Sequence, residues 1–247
     1  MYHSITFGDK NTWEDWHLIP SSRPVFNPPT QKTTYVSIPG SDVVIDLSEI
    51  HTGYPAYEYR TGSFEFIVDN GHEDWSILYS EIMNYLHGKR MKAILEDDPG
   101  YYYEGRFSVK GWKSEHHNSK ITIDYYVAPY KYEVQSSTED WEWDTLDFRS
   151  GIIREYGNIR VTVDEPVTLK IEPNSMRTIP TIIVSYDDKA INSGMSVTYN
   201  NKTVNLRHGN NVISDLVITE DLNTLVFTAD SQRSEGLISV DYRGGSL

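Results

Sequence analysis

With 247 residues, 38% of them hydrophobic and 13% aromatic, the chain can bury one large or two ordinary cores, which excludes a disordered or low-complexity protein. The absence of cysteine removes disulfides, Cys-ligated zinc and thiol catalysis, and fits a chain that folds in a reducing cytoplasm. The net charge of −14 divides evenly, −7 on either side of residue 135, and the longest basic cluster is Lys89-Arg90 with Lys92, so neither half carries the basic stripe that duplex binding needs.

The opening MYHSITFGDKNTW has neither the basic flank nor the apolar core of a signal peptide. No later run approaches the roughly 20 apolar residues of a membrane helix, so no membrane insertion is expected. Prolines at 20, 24, 28, 29 and 39 fix φ and lack a donor, which makes the stretch between them an extended arm that needs something to lie against. Period-two alternation predicts strands with one buried face at Tyr35-Val36-Ser37-Ile38, Ser63 to Val68, Arg106 to Val109 and Lys120 to Tyr125. Between them a helix is expected from about Glu73 to His87, because Trp75, Leu78, Tyr79, Ile82, Tyr85 and Leu86 recur at spacings of three and four. Asn70 with Glu73 resembles a capping box, and Gly88 stands where a left-handed C-terminal cap belongs. The aromatic stripe reads as core, covering an open sheet face. Asp97-Asp98-Pro99-Gly100 could be an acidic pair for acid/base chemistry, but Pro-Gly is the central dipeptide of a type II turn, and the turn is preferred.

Past Pro129-Tyr130-Lys131 the texture becomes polar, through Gln135 to Asp140, and short strands with turns between them follow. Arg160 to Val163, Thr168 to Ile171, Thr181 to Val184, Ser196 to Tyr199, Lys202 to Leu206, Asn211 to Ile213, Thr224 to Phe227 and Leu237 to Tyr242 make about eight strands, the spacing of an antiparallel sandwich. Asp187-Asp188, Tyr199 to Lys202 and His208-Gly209-Asn210 supply turns, and no helix is expected after residue 150.

Candidate chemistry is sparse. The histidines at 3, 17, 51, 72, 87, 116, 117 and 208 show no spacing that sets two imidazoles on one helical face, and His116-His117 falls in a polar hairpin tip. Nucleophile elbows, dinucleotide fingerprints, phosphate loops and EF-hand loops are missing, so no catalytic residue, cofactor or metal is assigned. Asn201-Lys202-Thr203 matches a glycosylation sequon that means little without a secretion signal. A carbohydrate-binding reading would need an exposed aromatic in the second half, where all Trp are absent past residue 143 and only Tyr156, Tyr186, Tyr199 and Tyr242 could serve. A glycosidase reading would draw on Glu139, Asp140, Glu142 and Asp144, an acidic run whose default is a solvated linker.

The ordered series Asn11-Thr12, Trp16-x-Leu18-Ile19-Pro20-x-Ser22-Arg23-Pro24, Lys32-Thr33, Ile38-Pro39-Gly40 and Asp46-Leu47-Ser48 resembles the start of the distal tail proteins of long-tailed, non-contractile bacteriophages. The likeness continues through Tyr57-x-x-Arg60-Thr61-Gly62, Trp75, Leu86-His87-Gly88-Lys89, Asp97 to Arg106, Trp112 and Pro129-Tyr130-Lys131. In the second half, Pro180, Leu206 and the terminal Val240 to Leu247 are similar to the galectin-like domain of that family.

The resemblance implies a mainly β protein. Residues 1–133 would be a tail-tube-like β-sandwich with one α-helix, 134–149 a linker, and 150–247 a galectin-like antiparallel β-sandwich. It implies a non-enzymatic baseplate hub at the virion tail tip, of a phage or a prophage, assembled in the host bacterial cytoplasm. Six copies would form a homo-hexameric ring whose lumen passes DNA without specific binding. Its partners would be the tail-tube protein, the tail-associated hub or spike protein and receptor-binding proteins. The Pro20 to Pro39 arm is the first candidate for reaching a neighbouring subunit. The alternative is a two-domain carbohydrate-binding surface module.

Overall fold

A computed structural model describes residues 2–68, 75–113, 119–139, 155–221 and 223–247, and the chain divides into two compact units, Met1–Lys131 and Tyr132–Ser246. The expected cap at Asn70 and Glu73, the His116-His117 tip and the acidic run beyond Glu139 lie outside the described residues.

The first unit is built on one antiparallel sheet. Its strands are β1 (Ile5–Phe7), β2 (Lys10–Asn11), β3 (Leu18–Pro20), then β6 (Arg60–Val68), β7 (Lys89–Leu95), β8 (Tyr101–Lys113) and β9 (Lys120–Val127), in the spatial order β2-β1-β7-β8-β9-β6-β3. β4 (Tyr35–Ser37) and β5 (Val44–Asp46) stand apart as a separate hairpin. β3 pairs antiparallel with β6 and sets Pro20 opposite Phe66 at the end of the strand order, where a residue without an N–H leaves no ladder bond unmade. On β6, β8 and β9 the expected alternation is present: Phe64, Phe66, Phe107, Val109, Ile121 and Ile123 are buried while their neighbours in sequence are not.

The helix α1 (Trp75–Leu86) buries Trp75, Ile82 and Leu86, three positions of the apolar stripe read from the sequence, and they join Phe7, Trp16, Phe66 and Phe107 in one core. Gly88 takes φ +72°, the left-handed cap conformation expected of it.

Two local expectations fail. The 97–100 turn is present, with the Tyr101 N–H donating to the Asp98 carbonyl (3.2 Å). Gly100, however, is absent from the positive-φ glycines, so the turn is not type II. The second failure is β4. Tyr35, Val36 and Ser37 are all exposed, as are Val44, Ile45 and Asp46 opposite them, so this strand has no buried face. Alternation predicted the strand correctly, but this hairpin has no second layer to pack against.

β10 (Lys131–Glu133) falls where the two units divide. The second unit contains two four-stranded antiparallel sheets. One orders β11 (Ile159–Val161), β18 (Gly236–Asp241), β13 (Thr181–Tyr186) and β16 (Gly209–Val212). The other orders β12 (Val167–Ile171), β17 (Asn223–Ala229), β14 (Ser193–Tyr199) and β15 (Lys202–Arg207). Val184, Ile238 and Val240 from one sheet and Val197, Leu206, Leu225 and Phe227 from the other share one core, the sandwich expected. Asn200 and Asn201 join β14 to β15 with φ of 44° and 61°, the signature of a type I′ turn. The chain changes sheets at His208-Gly209, where Gly209 takes φ +88° and the Asn211 side chain donates to the carbonyls of Arg207 and Gly209.

The head of the expected linker is not loose. Ser137 is 1% exposed. Its hydroxyl donates to the Val240 carbonyl and accepts the Tyr242 N–H, both at 2.8 Å. Residues 133–137 thus lie against Val240–Gly244 of the second unit, the end of β18 and the segment that follows it.

Candidate interaction surface

The proline-rich segment splits into a pinned root and a projecting arm. At the root, Phe26 is 3% exposed and stacks on Tyr103 with ring centroids 3.9 Å apart, while meeting Phe64 and Tyr125 edge-on. The next residue fixes the backbone: the Asn27 N–H donates to the Tyr125 hydroxyl (2.8 Å) and its side-chain amide to the Thr61 carbonyl (2.9 Å). Gly62 makes this possible, because a Cβ there would run into the Tyr125 hydroxyl and the Asn27 amide.

Arg60 closes the root. It is 5% exposed, and its guanidinium donates to the carbonyls of Pro129 (2.7 Å) and Asn27 (3.0 Å) above the Tyr103 ring. Burial pulls the Arg60 pKa below its usual value and pushes those of Tyr103 and Tyr125 up. Among the described residues this buried guanidinium is held by carbonyls and a ring face, which makes it a joint rather than a member of an acid/base pair.

Beyond the root the chain leaves the sheet. A bridge between Gln31 and Tyr57 and paired backbone bonds, Lys32 to Ala56 and Glu58 to Thr30 (both 2.8 Å), form its stalk. The β4–β5 hairpin extends from that stalk, its loop turning through Gly40 at φ +77°. Tyr35, Val43, Val44 and Ile50 are between 51% and 66% exposed, and Val36, Ile38 and Ile45 are exposed as well. An isolated two-stranded ribbon is marginal in water, and apolar side chains concentrated on one projection mark a surface that another molecule covers.

The residues singled out for chemistry lie apart and are engaged structurally. Asp97 accepts from His3 (2.9 Å) and Arg23 (2.8 Å), while Asp98 pairs with Lys131 (2.6 Å). The two carboxylates therefore serve separate clasps, one of them tying the chain's start to the arm's base. Burial works against ionisation of Asp97, but the hydrogen bonds from Arg23 and His3 outweigh it and hold the carboxyl below its ordinary pKa.

Glu139 accepts the Ser136 N–H (3.1 Å) and pairs with Arg243 (3.3 Å) beside an open polar recess that also includes Asp241 and Thr178. Asp140, Glu142 and Asp144 fall outside the described residues. Tyr156, Tyr186, Tyr199 and Tyr242 are all at most 7% exposed, so none offers a ring face to a sugar. Tyr186 instead spans the sandwich, donating to the Leu206 carbonyl (3.0 Å) and accepting the Met195 N–H (3.2 Å). Among the described residues no group of three acidic or histidine side chains could hold a metal ion, and no helix is long and apolar enough to cross a membrane.

Reading the sequence alone missed the root residues Phe26, Asn27 and Gly62 and the return strand Val44–Asp46. The available signal was Val43-Val44-Ile45 following Pro39-Gly40, an apolar run just past a turn dipeptide.

No protein-family model matches the chain, and no curated protein matches it in sequence. In fold it is similar to the Dit protein of SPP1, whose crystal structure is described as a paradigm of the hub adsorption apparatus in phages that infect Gram-positive bacteria. The TM-score is 0.64 at 14% sequence identity, and the match covers 100% of both chains. The chain therefore has the Dit fold over its whole length.

Proposed function

We propose that this protein is a structural component of the tail tip of a long-tailed phage or prophage, a distal tail protein that joins the tail tube to the host-adsorption apparatus. The observation that carries this reading is the end-to-end likeness to SPP1 Dit. A projecting arm with apolar side chains on a unit that is otherwise well packed is what a subunit of a larger assembly requires. Six copies close into a ring through the first unit, residues 1–133. The second unit, residues 150–247, faces the adsorption parts: the tail-associated hub or spike protein and receptor-binding proteins. The tail-tube protein stacks on the ring, and an acidic chain of −14 lets DNA pass through the lumen without sticking. The role is mechanical and requires neither catalysis nor a cofactor.

The carbohydrate-binding alternative has lost its stacking platforms, since its four candidate tyrosines are core residues. Light scattering on the purified chain tests the ring. The expected mass is near six times the 28.4 kDa of one chain, rising toward that value with concentration. A 28.4 kDa species at every accessible concentration speaks against it.

A further inference from the structure

The outer face of the first unit's sheet carries an open recess of about 410 Å³, whose lining includes Ser63, Arg106, Ser108, Lys110, Asp124 and Tyr126. That volume lies in the range of small-molecule sites, roughly 300–1,000 Å³. The register builds the recess in two rows across β6, β9 and β8. In one row Ser63 lies opposite Asp124 and Asp124 opposite Ser108; in the next, Thr61 lies opposite Tyr126 and Tyr126 opposite Arg106. Their sequence neighbours Phe64, Phe107, Val109, Ile123 and Tyr125 are core residues, so these side chains leave the sheet on the other face. Two short serines flanking a carboxylate make a low floor, and the longer Tyr126 and Arg106 beside them make a wall.

The wall includes an aromatic platform. Tyr126 is 53% exposed, and Tyr59, 43% exposed, stacks on it with ring centroids 4.7 Å and planes 15° apart. Tyr126 lines the recess and Tyr59 does not, so Tyr59 backs a ring whose other face is left for a ligand. Polar groups converge beside that ring. β8 is bulged between Val109 and Gly111, and the residue at the bulge, Lys110, meets Asp124, with Nζ 3.5 Å from Oδ2. The other carboxylate oxygen, Oδ1, is buried and has no hydrogen-bond partner among the described residues. An acceptor in that state costs free energy until a donor reaches it. The terminal torsion of an Asp side chain is broad, so a small turn of the carboxylate presents Oδ1 to the recess. Arg106 gives one guanidinium N–H to the Gly88 carbonyl (2.8 Å), which leaves most of its donor fork for an incoming acceptor.

We propose that this recess binds one pyranose ring of a glycan. Tyr126 takes the apolar C–H face of the sugar, Asp124 accepts from its hydroxyls, and Arg106 and Lys110 donate to its oxygens. An apolar surface beside a few convergent polar groups is the combination that orients a small ligand. A carboxylate at the centre of the floor sets like charge against a phosphate, which disfavours a nucleic-acid backbone there. The site lies within the first unit of one chain, apart from the buried tyrosines of the second, and does not depend on the ring reading.

Saturation-transfer NMR on the full-length protein tests the site, with the methyl pyranosides of glucose, galactose, mannose and N-acetylglucosamine as probes. At least one is expected to bind with a Kd of about 1 mM, its ring C–H protons receiving the strongest transfer. Tyr126→Ala removes the platform and Asp124→Asn removes the charged acceptor, and each is expected to weaken binding about tenfold or more. Ser108→Tyr fills the recess from an outward-facing position and should abolish binding. Tyr35→Ala alters an exposed tyrosine elsewhere on the same unit and should change nothing. Circular dichroism reports whether each variant folds; one that does not is set aside, and the others decide.

Failure of all four probes to bind at about 10 mM overturns the proposal. So does binding that persists in folded Tyr126→Ala and Ser108→Tyr. A thymine oligonucleotide that binds through these residues while the glycosides do not also overturns it, by assigning the recess to nucleic acid. The ring reading, tested by mass, is untouched by any of these results.

Discussion

The hairpin β4–β5 in the arm and the hairpin β14–β15 in the second unit are written in the same alphabet of β-branched and aromatic residues, yet their side chains meet opposite fates. On β14, Met195, Val197 and Tyr199 are buried beneath an opposing sheet; on β4 and β5 every residue is exposed. Period-two alternation reports that a strand forms and that one face seeks burial. It does not report whether the covering layer belongs to the same chain. In the sandwich the cover is the facing sheet. In the arm no layer among the described residues of the same chain supplies one.

The largest effects that sharpen this contrast come from truncating each region. Phe227→Ala, at a position 0% exposed in the sandwich core, is expected to cost about 4 kcal/mol in denaturant unfolding. Val44→Ala in the arm, at 51% exposure, should change the stability of the single chain by no more than about 0.5 kcal/mol while weakening assembly. A large stability loss for Val44→Ala in the monomer breaks the contrast.

Next in size is the joint between the two regimes. Arg60→Met keeps apolar bulk but leaves the carbonyls of Asn27 and Pro129 without their donor, at an expected cost of about 2 kcal/mol. Limited proteolysis should then cut within residues 28–57 first; an unchanged cleavage pattern would show that Arg60 does not hold the arm. Tyr186→Phe removes the hydroxyl through which β13 of one sheet bonds β14 and β15 of the other, and about 1 kcal/mol is expected, measured by thermal unfolding.

The smallest effect carries a pH signature. The folded pKa of Asp97 is depressed, so its contribution is present above the ordinary Asp value and is lost as pH falls through the lower folded value. Asp97→Asn should cost about 1 kcal/mol at neutral pH, since its partner Arg23 is largely solvated, and less and less as pH falls through the folded pKa. A penalty that persists unchanged in acid would assign the loss to packing.

Much of this architecture was legible beforehand, for identifiable reasons. Seven of the sandwich strands set at least one residue in a shared core, β16 alone burying none, and the helix shows its stripe because it covers a sheet. β1, β2 and β3 went unread because Lys10-Asn11 and Leu18-Ile19-Pro20 do not alternate and Ile5-Thr6-Phe7 does so only once. The type of the 97–100 turn escaped because Pro-Gly permits two geometries and only the Gly100 φ separates them. The arm root was the deeper loss: Phe26, Asn27, Arg60 and Gly62 are scattered along the sequence and become a unit only when β6 and β9 pair and bring Tyr125 beside Gly62.

The central claim is that this chain works as a closed assembly of identical copies around a channel. Class averages of the purified protein by electron microscopy test it most directly. A six-fold annulus with an open centre is the predicted image, and a field of separate monomers, at a concentration where light scattering detects no larger species, would contradict it.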